Sequence, residues 1–241
     1  MPSARGFDIL RAVAGAPAPE PRSAVRERLR GEALELARGE GLVQAAYSYR
    51  IVPLDMPAAE VLHAEGETLH APWLLPASGR LTGIACAVCT IGPVLQARVS
   101  GLFADKRASL ALTLNNLGNE LVFAVSRRAQ DRILVEARRR SLSMSGELRP
   151  GDPGLALEAQ GAVMRLAQAD SVGVSLNRGN LMHPLMSTSI VLGVGIDLPA
   201  ASWSRCDHCP SRAKCRVADR NQSITGVSSS SVQAETPMQP A

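Results

Sequence analysis

The chain has 241 residues, 46% of them hydrophobic and 20% charged, which is enough apolar surface to bury a core while keeping a polar exterior. Aromatic residues make up only 3% and the net charge is +4, so both the stacking platforms and the strong basic field of a nucleic-acid binder are weak. No run of about 18 apolar residues occurs, and the first residues hold no apolar core of signal-peptide length, so a cytoplasmic protein without a membrane span is expected.

Residues 1–21, rich in Ala, Pro and Gly, read as a loose lead-in. A helix is predicted over 23–38, where Val25, Leu29, Ala33 and Leu36 recur at helical spacing. Ser23 offers a capping hydroxyl to that helix, and Gly39 and Gly41 offer a stop. Residues 47–54 alternate as a strand, 57–62 are expected as a short helix, and 66–78 as turn. Residues 82–90 are a small-residue apolar run, a buried strand that ends at Gly92-Pro93. Pro93 suits the first turn of a helix reaching about Phe103.

A long helix is predicted over 106–139, with Leu110, Leu114, Leu117, Leu121, Val125, Ala129 and Ile133 as its apolar stripe. Gly118 within that stripe costs about 1 kcal/mol relative to alanine, which implies either close packing against a neighbour or a break into two helices. Arg138, Arg139 and Arg140 fit the C-terminal end of the helix, where they complement its dipole. Residues 146–154 read as a loop, 155–168 as helix, and 171–176 and 189–196 as strands joined by 177–188. From about residue 221 the chain is rich in Ser, Thr, Gln and Pro and is expected to be disordered. Helices interspersed with strands that a loop alone connects imply an α+β fold, with 22–80 as its first part and 81–200 as its core.

Cys206, Cys209 and Cys215, spaced Cys-x2-Cys-x5-Cys in the segment 201–220, have the pattern of thiolate ligands to zinc or an iron–sulfur cluster. His208, or Cys86 and Cys89 from the buried strand, are candidates for the fourth ligand. Cys86 and Cys89 read equally as compact hydrophobes within that strand. His63 and His70, with Glu65 and Glu67 between them, are conceivable as a metal pair but fit solvated loop residues better. No Ser-His-Asp arrangement or Walker-type loop is readable, and Gly193 and Gly195 do not make a dinucleotide fingerprint.

Three stretches in order carry a resemblance: Cys89-Thr90-Ile91-Gly92-Pro93; Arg149-Pro150-Gly151-Asp152-Pro153-Gly154 running on to Leu157-Glu158-Ala159-Gln160; and Val172-Gly173-Val174-Ser175-Leu176 with Met182-His183-Pro184 and Ser187-Thr188-Ser189. Together they resemble the activation domain of cobalamin-dependent methionine synthase. The resemblance implies a single C-shaped α+β domain with a mostly antiparallel sheet and packed helices. It also implies that the domain meets a cobalamin-bearing protein and supplies S-adenosylmethionine for reductive remethylation. Arg149, Pro150, Gly151 and Asp152 would border that ligand, and His183 would face the cobalamin or serve as a satisfied structural histidine.

The departures are Glu147 where the family carries arginine, Asp152 at its tyrosine place, and Phe123 at the place of a helix glutamate that follows Asn115-Asn116-Leu117-Gly118. In the corrinoid context the cysteine trio leans towards an iron–sulfur cluster over zinc, and the implied partners are a corrinoid protein and an electron donor such as flavodoxin or ferredoxin. Two functions follow as expectations. One is an accessory activation module of a split methionine synthase; the other is a metal- or cluster-bearing electron-transfer protein of the same fold that has lost S-adenosylmethionine.

Overall fold

Two strands dictate the architecture, because their side chains are buried on both faces and must be covered twice. The computed structural model describes residues 8–14 and 23–201. In chain order it contains α1 (Ile9–Ala14), α2 (Ala24–Gly39), β1 (Ala46–Pro53), β2 (Val61–Ala64), β3 (Glu67–His70), β4 (Arg80–Thr90), α3 (Val94–Ala104) and α4 (Ala108–Arg139). Then follow β5 (Ser143–Leu148), α5 (Gln160–Leu166), the two-residue strands β6 (Ser175–Leu176) and β7 (Met182–His183), and β8 (Ser187–Ile196). The main sheet is antiparallel in the order β1-β4-β8-β5, and β2–β3 and β6–β7 form separate two-stranded ribbons. The fold is therefore α+β, as expected.

Alternation along β4 sends Ala85, Ala87 and Cys89 to one face and Ile84, Cys86 and Val88 to the other. A register shift between Leu81 and Gly83 turns Leu81 to the same face as Ile84. On the first face Ala85 and Ala87 are small enough for α4 to approach, and Ile133 and Ala137 pack there with Ile190, Leu192 and Val194 of β8. Helices α2 and α3 extend this layer around Leu95, Val99 and Leu102. The other face is covered by the β2–β3 ribbon, a short 3-10 turn at Pro72–Leu74, and α5.

Helix α4 is 32 residues long, about 48 Å at 1.5 Å per residue. Its predicted stripe is buried from Leu110 to Ile133, and each fully buried leucine contributes about 2 kcal/mol. The helix runs unbroken through Gly118, where an added Cβ would lie 2.9 Å from Leu95 Cδ2 and 3.1 Å from Met186 Cε. Close packing is thus the reason for the glycine. Ser23 caps α2, its Oγ accepting the Arg26 N–H at 3.5 Å.

Several expectations need correction. Residues 57–62 form no helix; 57–60 are irregular and β2 begins at Val61. Residues 66–78 are not all turn, since β3 returns along β2 through Glu65-Gly66, both at positive φ as a tight hairpin turn requires. Residues 146–148, read as loop, belong to β5. Residues 155–168 split into a 3-10 turn at Leu157–Ala159 and the short α5, and 169–172 is a 3-10 turn rather than strand. Within the lead-in, α1 is helical and buries Val13 beside α2 and α4. The cysteine segment and the tail from residue 221 lie outside the described residues. No helix among the described residues is long and apolar enough to cross a membrane.

Candidate functional site

The loop that leaves β5 is closed by its own hydrogen bonds. The Asp152 carboxylate accepts the Arg149 backbone N–H at 3.0 Å, and the Asp152 N–H donates to the Arg149 carbonyl at 2.8 Å. The Gly151 N–H donates to Leu155 O at 2.9 Å, and the Leu155 N–H returns to Asp152 O at 3.0 Å. Asp152 is thus a turn-forming residue. Gly151 sits at φ +95°, and beyond it lies room: the nearest atom to an added Cβ is Leu157 Cδ1 at 3.9 Å. Gly154, at φ +89°, is different, because its Cβ would fall 2.6 Å from Cγ of Trp73. The indole therefore seats the far end of the loop.

Arg149 turns its side chain back towards the helical layer. Its guanidinium carbon lies 4.7 Å from the Phe123 ring centroid, a cation–π contact with α4. Nε and Nη2 both reach Oε1 of Glu147, at 3.2 and 2.9 Å, and the two side chains are only 11% and 19% exposed. Glu147 lies near the end of β5 and Arg149 is the first residue beyond it, close enough in the chain for the two side chains to pair. The structure thus gathers Glu147, Arg149 and Phe123 into one contact set. Their charges also reach the nearby thiol of Cys89, although burial dominates there and pushes that thiol up to about 12.

Hydroxyls and an amide tie the three resembling stretches together. Ser187 donates to the Pro184 carbonyl at 2.7 Å and lies 2.9 Å from Thr90 Oγ1, which accepts the Gly92 N–H at 3.0 Å. Gln160, buried at the start of α5, donates from Nε2 to Ser189 Oγ at 2.7 Å. Thr90 so links the first stretch to the third, and Gln160 links the second to the third. Pro150 sits between Arg149 and Gly151 and has no N–H to donate. His183 is exposed on β7, opposite Ser175, and its side chain forms no hydrogen bond or ion pair among the described residues. It precedes the cis peptide to Pro184 and lies on the β6–β7 ribbon, away from the strand that leads into the Arg149 loop.

The metal candidates fare differently. Cys206, Cys209 and Cys215 lie outside the described residues. Cys86 and Cys89 are fully buried on opposite faces of β4, one in each core, with burial raising both thiols to about 12. Buried in opposite cores of the sheet, the two thiols match their reading as compact hydrophobes and cannot together ligate one ion. Glu65 and Glu67, between the two histidines, are taken by Arg50 and Arg165, and His63 Nδ1 lies 3.4 Å from Thr68 Oγ1. No group of three or more His, Cys, Asp or Glu suited to a metal occurs among the described residues.

Two features escaped the sequence. The Gln160–Ser189 bond spans 29 residues, and nothing local announces it. An open groove of about 720 Å³ lies at the other end of the sheet, between Leu54–Ala58 and Leu75–Thr82, with Asp55 and Arg80 at its wall.

No family model matches the sequence, and no curated protein matches it. Among solved structures the fold is similar to the crystal structure of the MetH reactivation domain bound to AdoHcy, with a TM-score of 0.58 over 89% of this chain and 76% of that chain. At 13% identity, that likeness establishes a shared α+β fold.

Proposed function

We propose that the chain is an accessory activation module for a cobalamin-dependent methyltransferase, of the kind a split methionine synthase requires. The observation that carries this reading is the tying of the three resembling stretches, through Thr90–Ser187 and Gln160–Ser189, into one region of a fold like that of the MetH reactivation domain. In this reading Arg149, Gly151 and Asp152 border an adenosyl ligand, and residues 177–188, with His183, face a partner that carries the cobalamin. S-adenosylmethionine, when bound, supplies the methyl group of a sulfonium centre. The chain's own residues hold and orient it: Gly151 leaves open space beside the main chain, and Arg149 provides a guanidinium for a carboxylate. A flavodoxin or ferredoxin would deliver the electrons.

Titration calorimetry with S-adenosylmethionine and AdoHcy, and capture of a corrinoid protein by the immobilised full chain, test the reading. Binding of either ligand together with recovery of the corrinoid partner is expected. Failure of both refutes it.

A second reading is favoured by one contact. Glu147 occupies the guanidinium of Arg149, which suits a fold that has given up S-adenosylmethionine and works as a metal-bearing electron-transfer protein. Cys206, Cys209 and Cys215 would then hold an iron–sulfur cluster or zinc. Anaerobic purification separates the cases: visible absorption with iron and sulfide indicates a cluster, and a colourless zinc-loaded protein excludes it.

A further inference from the structure

Opposite the Thr90–Ser187 link, the sheet ends in the groove of about 720 Å³ between Leu54–Ala58 and Leu75–Thr82. Its lining is mainly apolar, from Leu54, Met56, Pro57, Leu75, Pro76 and Leu81, yet Met56 and Pro57 stand exposed. Single exposed apolar residues are ordinary on a surface, but a concave row of them is the form of a binding site. The chain leaves the described residues beside this groove. Arg80, on its wall, is the register partner of Ile196, and an added Cβ at Gly79 would run into the Asp197 carbonyl. Leu198 then enters the core against which Leu54 and Leu75 pack. The last described residue, Ala201, is four positions past Asp197.

The sequence that follows matches the groove in both apolarity and charge. Residues 202–241 hold a single aromatic, Trp203, six positions past Asp197 and so within about 20 Å of it even along a fully extended chain. An indole buries a large apolar area in one step. Residues 202–220 carry Arg205, Arg212, Lys214, Arg216 and Arg220 against Asp207 and Asp219. At the groove, Asp55 and Asp197 are exposed and in no ion pair among the described residues, with Arg80 as the one basic residue of the lining. We propose that the groove is the seat of this chain's own segment from residue 202 onwards, with the Trp203 indole between its walls and Arg205 beside Asp55. This inference stands apart from the activation reading and adds a second functional end to the molecule. Leu81, at the groove, is about 30 Å along β4 from Thr90. Cys206 follows Trp203 by three residues, about 10 Å of chain. A seated Trp203 therefore holds the first thiol of the Cys206, Cys209 and Cys215 set at the opposite end of β4 from the Thr90–Ser187 link.

The test uses the full chain. The difference between its fluorescence and that of Trp203→Phe isolates Trp203 from Trp73. Trp203 should emit to the blue of a solvated indole and be quenched by acrylamide several-fold less. Met56→Arg and Pro57→Arg, two substitutions at exposed lining positions that add bulk and a like charge, should each return Trp203 to solvated emission. Conversely, Trp203→Ala should speed the oxidation of Met56 by peroxide several-fold, read by peptide mass spectrometry, with Met182 on β7 unchanged as the internal reference. Circular dichroism and urea midpoints confirm that each variant is folded, and the two lining variants serve as replacements for one another. A Trp203 that is solvated in the unsubstituted chain overturns the inference. Protection of Trp203 that ignores both lining variants overturns it as well, since the segment is then seated elsewhere. Protection lost on dilution overturns it in favour of a groove filled by a second copy of the chain.

Discussion

Gly151 and Gly154 offer a controlled comparison within one loop. Both hold positive φ, +95° and +89°, so alanine at either position costs roughly 1–3 kcal/mol in backbone strain. They differ in what a methyl group would meet. At Gly151 the nearest atom is 3.9 Å away, an ordinary contact. At Gly154 the new Cβ would stand 2.6 Å from Cγ and 2.8 Å from Cδ2 of Trp73, inside the body of a rigid ring. Relief requires the indole or the loop to move, and overpacking of this kind adds about 1–3 kcal/mol. Gly154→Ala should therefore destabilise the protein by about 2–6 kcal/mol, and Gly151→Ala by only the strain.

Urea unfolding followed by far-ultraviolet circular dichroism measures both variants. The double variant Trp73→Ala with Gly154→Ala should recover the steric part, giving a favourable coupling of about 1–3 kcal/mol in the cycle. Equal costs for the two glycine substitutions, or a coupling near zero, would refute the seating of the loop on Trp73.

Three further outcomes follow from the core and the surface. Burial raises Cys86, Cys89 and Tyr49 to about 12, Tyr49 with added help from its hydrogen bond to Glu136. All three are neutral acids kept protonated by folding, so their contribution is complete below the unfolded pKa values of 9.0 and 10.0 and is lost as pH rises towards about 12. Urea midpoints should fall across that window, and the two thiols should resist a disulfide reagent until the protein is unfolded. The β2–β3 ribbon should loosen in acid: Arg50 and Arg165 hold Glu65 and Glu67 below their ordinary value of 4.5, a contribution present above that value and lost as pH falls through the depressed one. Faster amide exchange at Leu62 and Leu69 below pH 4.5 checks it, and unchanged protection would count against the clamp. Ser189→Ala leaves Nε2 of Gln160 unpaired in the core and should cost about 1–3 kcal/mol in urea unfolding; a cost below about 0.5 kcal/mol would mean that the bond is not formed.

What could be read from the sequence, and what could not, divides on where apolar residues sit. Helix α4 was legible because its stripe is long and faces one core. Strands β4 and β8 were legible as small-residue runs because both their faces are covered. The β2–β3 hairpin is short, and its Glu65-Gly66 turn was the readable sign that went unused. Strand β5, Ser-Met-Ser-Gly-Glu-Leu, lies at the sheet edge, half-buried along nearly its whole length, with Leu148 as its one fully buried residue. Its polar positions do alternate with Met144, Gly146 and Leu148, but two apolar side chains with a glycine between them are too weak a signal to override the turn residues that follow.

That one missed strand also hid the chemistry of the site. With 146–154 read as loop, Glu147 and Arg149 have no fixed relation to one another. Strand β5 runs through Leu148, so Arg149 leaves its end beside Glu147, and the two charges pair. The partner across from them could not be found by any local pattern, since Phe123 lies on α4 and meets Arg149 only once that helix packs on the sheet. Glu147, Arg149 and Phe123 therefore act as one set. Arg149 is charge-balanced by Glu147 in a position largely shielded from water, and Phe123 covers a face of the cation. On this argument Phe123→Ala and Arg149→Ala should be coupled by about 0.5–2 kcal/mol in a double-mutant cycle followed by urea unfolding, and a coupling near zero would show that the cation–π contact is not formed.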